Sequence, residues 1–270
     1  MDKAVILAAG LGRRMQRPAD NLTLSADQAR MAAKGIKGLI PVRDGRPFLD
    51  FVLSGLADAG YHRVCLVIGP QHDDLRRHYR SLPTNRIHID FAVQNEPWGT
   101  AHAVQVAAGF VQNDPFLVVN SDNYYPLDTL RKLRLVGGSA TAGFDREGLL
   151  RGSNIPAPRI AQYAVLAADP SGHLESIVEK PDPAWIKSLP KPILVSMNCW
   201  RFEPAIVEAC LRIERSPRGE YEIPDAVLYS IRHLGIQYQV VPSDQPVLDL
   251  TGPRDIASVG ALLSAVKVDL

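Results

Sequence analysis

Ala4-Val5-Ile6-Leu7-Ala8-Ala9-Gly10-Leu11-Gly12-Arg13-Arg14-Met15 is the most informative stretch of this chain. The apolar run Ala4–Ala8 shows no polar alternation, which reads as a short strand buried on both faces, the pattern of parallel sheets. Gly10 and Gly12 follow it directly, and glycines there let backbone N–H groups approach a phosphate chain without a Cβ in the way. Neither common nucleotide-binding motif fits. A dinucleotide fingerprint needs G-x-G-x-x-G, and its third glycine position holds Met15; a P-loop needs G-K-[ST], which is absent. Arginines immediately after the glycines suit polyphosphate charge instead. On local sequence alone the same turn also reads as a plain strand-to-helix connection with exposed arginines.

The neighbouring segments repeat the pattern of strand then helix. Phe48, Phe51, Val52, Leu53 and Leu56 form a helical stripe within Pro47–Ala59, ended by Gly60. His62–Gly69 predicts a second buried strand, Gln71–Arg80 a polar helix, and Ile87–Gln94 a third strand. Thr100–Val111 predicts an Ala/Val-rich helix and Pro115–Asn120 a fourth strand. Strands alternating with helices indicate β-α-β crossovers, hence an α/β protein with a doubly wound, mostly parallel, Rossmann-like sheet. The second half changes character. Ser139–Phe144, Arg159–Ala168, His173–Glu179 and Ile193–Phe202 read as strands, with Pro170-Ser171-Gly172 a hairpin turn. Helices over Pro204–Arg215 and Ile223–Leu234 follow, then strands near Gln237–Val241 and Val247–Leu250 and a closing helix over Pro253–Val266. These mixed strands predict an added lobe. With no convincing linker, a single domain spanning 1–270 is expected, its lobes meeting near residue 135.

Composition narrows the function. The 270 residues are 46% hydrophobic and 22% charged, an ordinary globular mix. Thirty Lys+Arg against 29 Asp+Glu leave a formal charge of +1, without the basic excess of a protein that grips nucleic acid by its phosphates. No uninterrupted apolar stretch approaches the length of a membrane span, and Arg13 and Arg14 stand where a signal peptide would need small residues. Three cysteines, Cys65, Cys199 and Cys210, form no C-x-x-C pair and suit free thiols in a reducing cytoplasm. The seven histidines show no metal-binding spacing and read as surface or capping residues.

Further along comes Lys37-Gly38-Leu39-Ile40-Pro41-Val42. Together with Leu7–Met15, this segment resembles the signature of the sugar-1-phosphate nucleotidyltransferases, the NDP-sugar pyrophosphorylases. The likeness continues in order through Gly45-Arg46-Pro47-Phe48-Leu49, Ala59-Gly60, Val67-Ile68-Gly69 and Gln94-Asn95-Glu96-Pro97-Trp98-Gly99-Thr100-Ala101. Asn120-Ser121-Asp122-Asn123, Glu179-Lys180-Pro181, Gly219-Glu220-Tyr221 with Asp225, and Asp249 with Pro253 complete it. Each motif is weak by itself, whereas a collinear series over almost the whole chain is specific.

The resemblance implies transfer of a nucleotidyl group from an NTP to a sugar 1-phosphate, with release of pyrophosphate. Residues 1–135 would then chiefly bind the NTP and 136–270 the sugar phosphate. Such a reaction asks the protein to align two polyanions and neutralise charge at the α-phosphorus. Arg14 and Lys37 match the positions that grip the triphosphate, and Asp122 and Asp249 match two aspartates that hold Mg²⁺. Asp122 also follows an apolar strand, at the strand end where open α/β sheets place their ligands. Leu7, Ala9, Gly10, Gly12 and Arg13 fall in the nucleotide-binding turn, and Gln94, Gly99 and Thr100 in the loop that reads the base. Tyr163 and Ala164 stand where a backbone contact to the sugar is made; Glu179, Lys180 and Asn198 match sugar-phosphate contacts. Family members often form dimers or tetramers, so a homo-oligomer fits, and neither nucleic acid nor a membrane is expected as a partner.

Several positions depart from the family pattern. Arg13 replaces a usual Thr or Ser, Ala164 a usual glycine, Pro224 a usual threonine, and Thr251-Gly252 inverts the usual pair. Ser196-Met197-Asn198-Cys199 stands for an Asn-x-Gly segment, which leaves Ser196 or Asn198 at the sugar-contact position. Extra residues separate Arg14 from Lys37. Within Gln16–Gly35, Ser25-x-x-Gln28 forms a capping-box pattern opening Ala26–Lys34, with Gly35 as its stop, which predicts a short helix on a mobile lid over the triphosphate. Deleting Asn21–Ala32 should then weaken NTP binding. UTP, dTTP, CTP and GTP all remain open, pyrimidines being favoured by family frequency. Two other readings stand beside the main one: a nucleotidyltransferase for a cyclitol, polyol or choline-type phosphate, and a non-catalytic nucleotide-sensing homologue.

Overall fold

β1 (Lys3–Leu7), β2 (Arg63–Ile68), β3 (His88–Val93), β4 (Phe116–Asn120), β5 (Ser139–Asp145), β6 (Val165–Ala168), β7 (Leu174–Val178), β8 (Leu194–Phe202) and β9 (Tyr238–Ser243) form the main sheet of the computed structural model, which describes residues 1–19 and 22–270. Asp20 and Asn21, within the stretch read above as a lid, lie outside the described residues. Across the sheet the order is β7-β6-β8-β4-β1-β2-β3, and β5 pairs with both β8 and β9. β4, β1, β2 and β3 are mutually parallel, as the alternation of strands and helices predicts. β2 and β3 lie on one side of β1 and β4 on the other, so the chain reverses its lateral direction between β3 and β4. Such a reversal opens a crevice at the carboxyl ends of the strands. Here those ends are Leu7 and Asn120, which pair with each other.

The mixed strands of the second half join this same sheet through β8. That strand runs antiparallel to β4 through Trp200–Phe202, to β6 through Leu194 and Val195, and to β5. Its register with β5 slips between Ser196 and Trp200, where Asn198 takes a φ of 52°. A bulge of this kind re-aims a side chain, and bulges cluster beside functional sites.

Apolar side chains alternate between two layers because successive Cβ atoms of a strand point to opposite faces. Ala4 and Ile6 pack with Phe48, Leu53 and Leu133 on one face; Val5 packs with Val104, Trp200 and Val227 on the other. Residues buried this completely each stabilise the fold by about 1.5–3 kcal/mol. Helices cover both faces, which is why the first four strands carry so few polar residues.

Local differences from the expected elements have local causes. Arg159–Ala168 is not one strand: Pro156 caps and Pro158 opens a helical turn over Ala157–Ile160, and only Val165–Ala168 is extended. Proline at a first helical turn has no N–H to waste and a preset φ, which favours the turn over an extended start. Helices over Leu127–Leu135, Arg146–Gly152 and Pro183–Ser188 were not expected. Thr100–Val111 divides into Thr100–Val106 and Ala108–Val111. The predicted helix Ala26–Lys34 is present, with both hydrogen bonds of the Ser25–Gln28 capping box and a left-handed Gly35 stop.

Candidate functional site

A cleft of about 480 Å³ opens at the crevice between β1 and β4. Its floor is the glycine turn, where Leu7, Ala9, Gly10, Gly12 and Arg13 all line it. Gly12 has a φ of 61°, and a Cβ there would stand 2.2 Å from the carbonyl oxygen of Gly35. Gly35 in turn faces the Leu11 carbonyl, so the stop of the Ala26–Lys34 helix is packed backbone to backbone against the turn. Two further ties hold that helix: Lys34 pairs with Asp74, and the Gln28 amide donates to the Pro41 carbonyl at 2.8 Å. Gly35 also leads directly into the short helical turn Lys37–Leu39.

Lys37 is brought to the cleft by that turn, anchored by buried Gly38, Leu39 and Ile40. Its Nζ lies 2.7 Å from Oδ2 of Asp122, both side chains being mostly shielded. Asp122 follows β4 as expected, and Ser121 N–H bonds to the Leu7 carbonyl, which ties the two strand ends together at 3.1 Å. Asp249 arrives from the other half of the chain. Leu248–Asp249 pairs antiparallel with Asn123–Tyr124, and Leu250 N–H donates to the Asp122 carbonyl at 2.8 Å. Asp249 thus lies in one strand of this small ribbon and Asp122 immediately before the other, with Lys37 paired to Asp122.

Asp249 is almost fully buried. The Tyr163 hydroxyl donates to its Oδ2 and the Thr251 hydroxyl to its Oδ1, each at 2.7 Å, while Arg159 Nε stands 3.8 Å from Oδ2. The Asn154 side chain brackets its backbone, donating to the carbonyl at 2.7 Å and accepting from the N–H at 2.9 Å. Burial pushes the Asp249 carboxyl above the usual carboxylate range, and repulsion from Asp122 adds to it; the Thr251 and Tyr163 hydrogen bonds pull the other way. Two carboxylates close enough to repel, with few other donors at hand, match what a magnesium ion takes when phosphate oxygens and waters complete its shell. Among the described residues no cluster of three or more His, Cys, Asp or Glu side chains is built to hold a metal.

At the opposite end of the cleft, Gln94, Gly99 and Thr100 are gathered as expected. Buried Gln94 donates its Nε2 to the Gly99 carbonyl at 2.9 Å and to His102 Nδ1 at 3.0 Å. Gly99 has a φ of 100°, and a Cβ there would lie 2.4 Å from the Tyr221 carbonyl. Tyr221 N–H bonds to Trp98, Ala101 N–H bonds to Tyr221, and the Thr100 hydroxyl accepts from Ile223 N–H. The Gly219–Tyr221 segment therefore braces the loop, and Thr100 serves as one of its ties.

The remaining predicted residues divide. Asn198, in the bulge of β8, lines the cleft; Ser196 does not. Arg14 is exposed and does not line it, and its carbonyl faces Gly252 in the loop after Asp249. Asp249, Tyr163, Ala164, Glu179 and Lys180 lie outside the cleft lining, Asp249 being buried behind it next to the Asp122 segment. Ala164 is buried, its carbonyl accepting from Ser196 N–H at 2.8 Å. Lys180 takes a φ of 44° at the end of β7. Partial desolvation raises the Glu179 carboxyl pKa; the Arg218 charge opposes this and the Glu222 charge adds to it.

Sequence reasoning missed His72, whose ring lines the cleft at 2% exposure and accepts from Gly69 N–H through Nδ1 at 3.1 Å. A lone histidine without a spaced partner carries no sequence signal. Asn154 and Arg159 were missed for a different reason: they reach Asp249 from far away in the chain.

Residues 3–269 match the family model described as nucleotidyl transferase. The UTP–glucose-1-phosphate uridylyltransferase AglF of Haloferax volcanii is 30% identical over 260 residues, covering 94% of this chain and 93% of that protein. A glucose-1-phosphate thymidylyltransferase of Streptomyces griseus is 29% identical over 232 residues, covering 85% of this chain but 57% of its own longer length. Among solved structures, a UDP-glucose pyrophosphorylase complexed with UDP-glucose superimposes with a TM-score of 0.75 at 16% identity, covering 99% of this chain and 100% of that one, a likeness of fold.

Proposed function

The chain belongs to the nucleotidyl transferase family, and from that premise we propose that its cleft joins a pyrimidine nucleoside triphosphate to a sugar 1-phosphate, releasing pyrophosphate. The observation that carries this reading is the ion pair of Lys37 and Asp122 in the lining of a cleft floored by the glycine turn, with buried Asp249 paired to Asn123, the residue after Asp122. A phosphate oxygen of the sugar attacks the α-phosphorus, the new P–O bond forms, and the bond to the β-phosphate bridging oxygen breaks. Lys37 neutralises charge on the triphosphate as this happens, and Arg13, facing the cleft, assists it. The glycine turn supplies backbone donors to the phosphates, with Arg14 at its rim. Asp122 and Asp249 would hold a magnesium ion, which supplies Lewis-acid stabilisation of the phosphate oxygens.

Gln94 supports a uracil or thymine base. Its Nε2 is engaged by Gly99 and His102, which leaves the amide oxygen to accept an imide N–H. UTP and dTTP present one; CTP does not. Asn198 is assigned to the sugar phosphate because it lines the same cleft as Lys37 and Asp122, and Glu179 with Lys180, just past the end of β7, to the sugar as the resemblance implies. Glucose 1-phosphate is the acceptor named for both relatives and is the first to test. Free, buried Cys65, Cys199 and Cys210 suit a cytoplasmic protein. The decisive assay follows pyrophosphate release with Mg²⁺ across the common NTPs and a panel of sugar 1-phosphates. UTP or dTTP with glucose 1-phosphate should give the highest kcat/KM, and absence of release from every pair would overturn the reading.

A further inference from the structure

Tyr163, Thr251 and Arg159 surround Asp249 in a way that the proposed reaction does not require of substrate contacts. We infer that they are positioning residues, which fix the Asp249 carboxylate for a divalent cation. The inference rests on the reading of Asp122 and Asp249 as the metal-holding pair. Each oxygen of the carboxylate has one anchor: Thr251 on Oδ1 and Tyr163 on Oδ2, both at 2.7 Å. A carboxylate oxygen can accept twice, so each anchor leaves one lone-pair direction free while fixing the plane of the group. The anchors come from separate segments of the chain, Thr251 two residues after Asp249 and Tyr163 just before β6.

Arg159 holds the arrangement from behind. Its guanidinium makes a two-pronged contact with Asp255, at 3.2 and 3.3 Å, and Nε, which has no hydrogen-bond partner, stands 3.8 Å from Asp249 Oδ2. Asp255 meanwhile accepts the N–H groups of Thr251 at 3.0 Å and Gly252 at 2.8 Å. The loop bearing Thr251, the helix bearing Asp255 and the turn bearing Arg159 are therefore locked into one unit behind a single carboxylate. Side chains that hold a metal ligand in place typically change metal affinity by 10–100-fold when removed. A direct role of the Tyr163 hydroxyl at the sugar would instead appear in the KM for the sugar phosphate.

The test uses the full chain with Mn²⁺ as the probe, titrated in the presence of a non-hydrolysable UTP analogue and read by the electron paramagnetic resonance of free Mn²⁺. Tyr163→Phe should raise the Mn²⁺ dissociation constant about tenfold, with the KM for sugar 1-phosphate unchanged at saturating metal. Thr251→Val should do the same, and Thr251→Ser, which keeps the hydroxyl, should restore wild-type binding; this pair decides the matter if Tyr163→Phe does not fold. Unchanged Mn²⁺ affinity in the hydroxyl-free variants overturns the inference, as does a raised sugar-phosphate KM with unaltered metal binding. Failure of the underlying reading is separately visible: wild-type protein would then bind Mn²⁺ no more tightly than Asp122→Asn.

Discussion

Lys37 illustrates how much one residue can be asked to do. Its ammonium is fixed 2.7 Å from Asp122 at the edge of the phosphate cleft, so Lys37→Met would remove charge stabilisation that water cannot replace. A kcat lowered about 10²–10³-fold, with an unchanged circular-dichroism spectrum, is the expected result; near-wild-type turnover in a steady-state assay would remove Lys37 from the reaction. Its place at the cleft was legible in the sequence through the resemblance that Lys37–Val42 carries. The arginines were less so. A motif names Arg14, yet of these two exposed arginines only Arg13 lines the cleft. Register in a motif places a backbone, and only the path of the turn says which side chain faces inward.

Among the elements, the Ala26–Lys34 helix was read from its capping box and its glycine stop, both local signals that need nothing beyond neighbouring residues. What the helix touches was not readable. Its stop is interlocked with Gly12 of the glycine turn, so the extra segment shapes the cleft floor. Gly35→Ala places a Cβ 2.4 Å from the Leu11 carbonyl at a φ of 70°, and should destabilise the protein by about 1–3 kcal/mol in urea unfolding. The same change should raise the KM for the NTP more than that for the sugar phosphate. Equal effects on both would make the interlock purely structural. The short helices of the second half were missed because few residues, with mixed polarity, leave no measurable period.

At the scale of the whole molecule, acid should weaken the fold through His72. Desolvation lowers its pKa from the ordinary 6.5, so the native state favours the neutral ring and the unfolded chain binds the proton more readily. That contribution is fully present above about pH 6.5 and is lost as pH falls through the lowered native value. Thermal midpoints should therefore drop between pH 7 and pH 5, and His72→Asn, which keeps an acceptor for Gly69 N–H, should flatten the drop. Parallel slopes in the two proteins would assign the acid loss to other groups.

The parallel half of the sheet, the glycine turn, Lys37 and Asp122 were all determined by sequence, because buried strands, tight turns and strand ends are written in consecutive residues. The shell around Asp249 was decided only by folding. Asn154, Arg159 and Tyr163 meet Asp249, Thr251 and Asp255 through side-chain hydrogen bonds across roughly ninety residues of chain, and bonds formed across such separations leave no periodic trace in the amino-acid order.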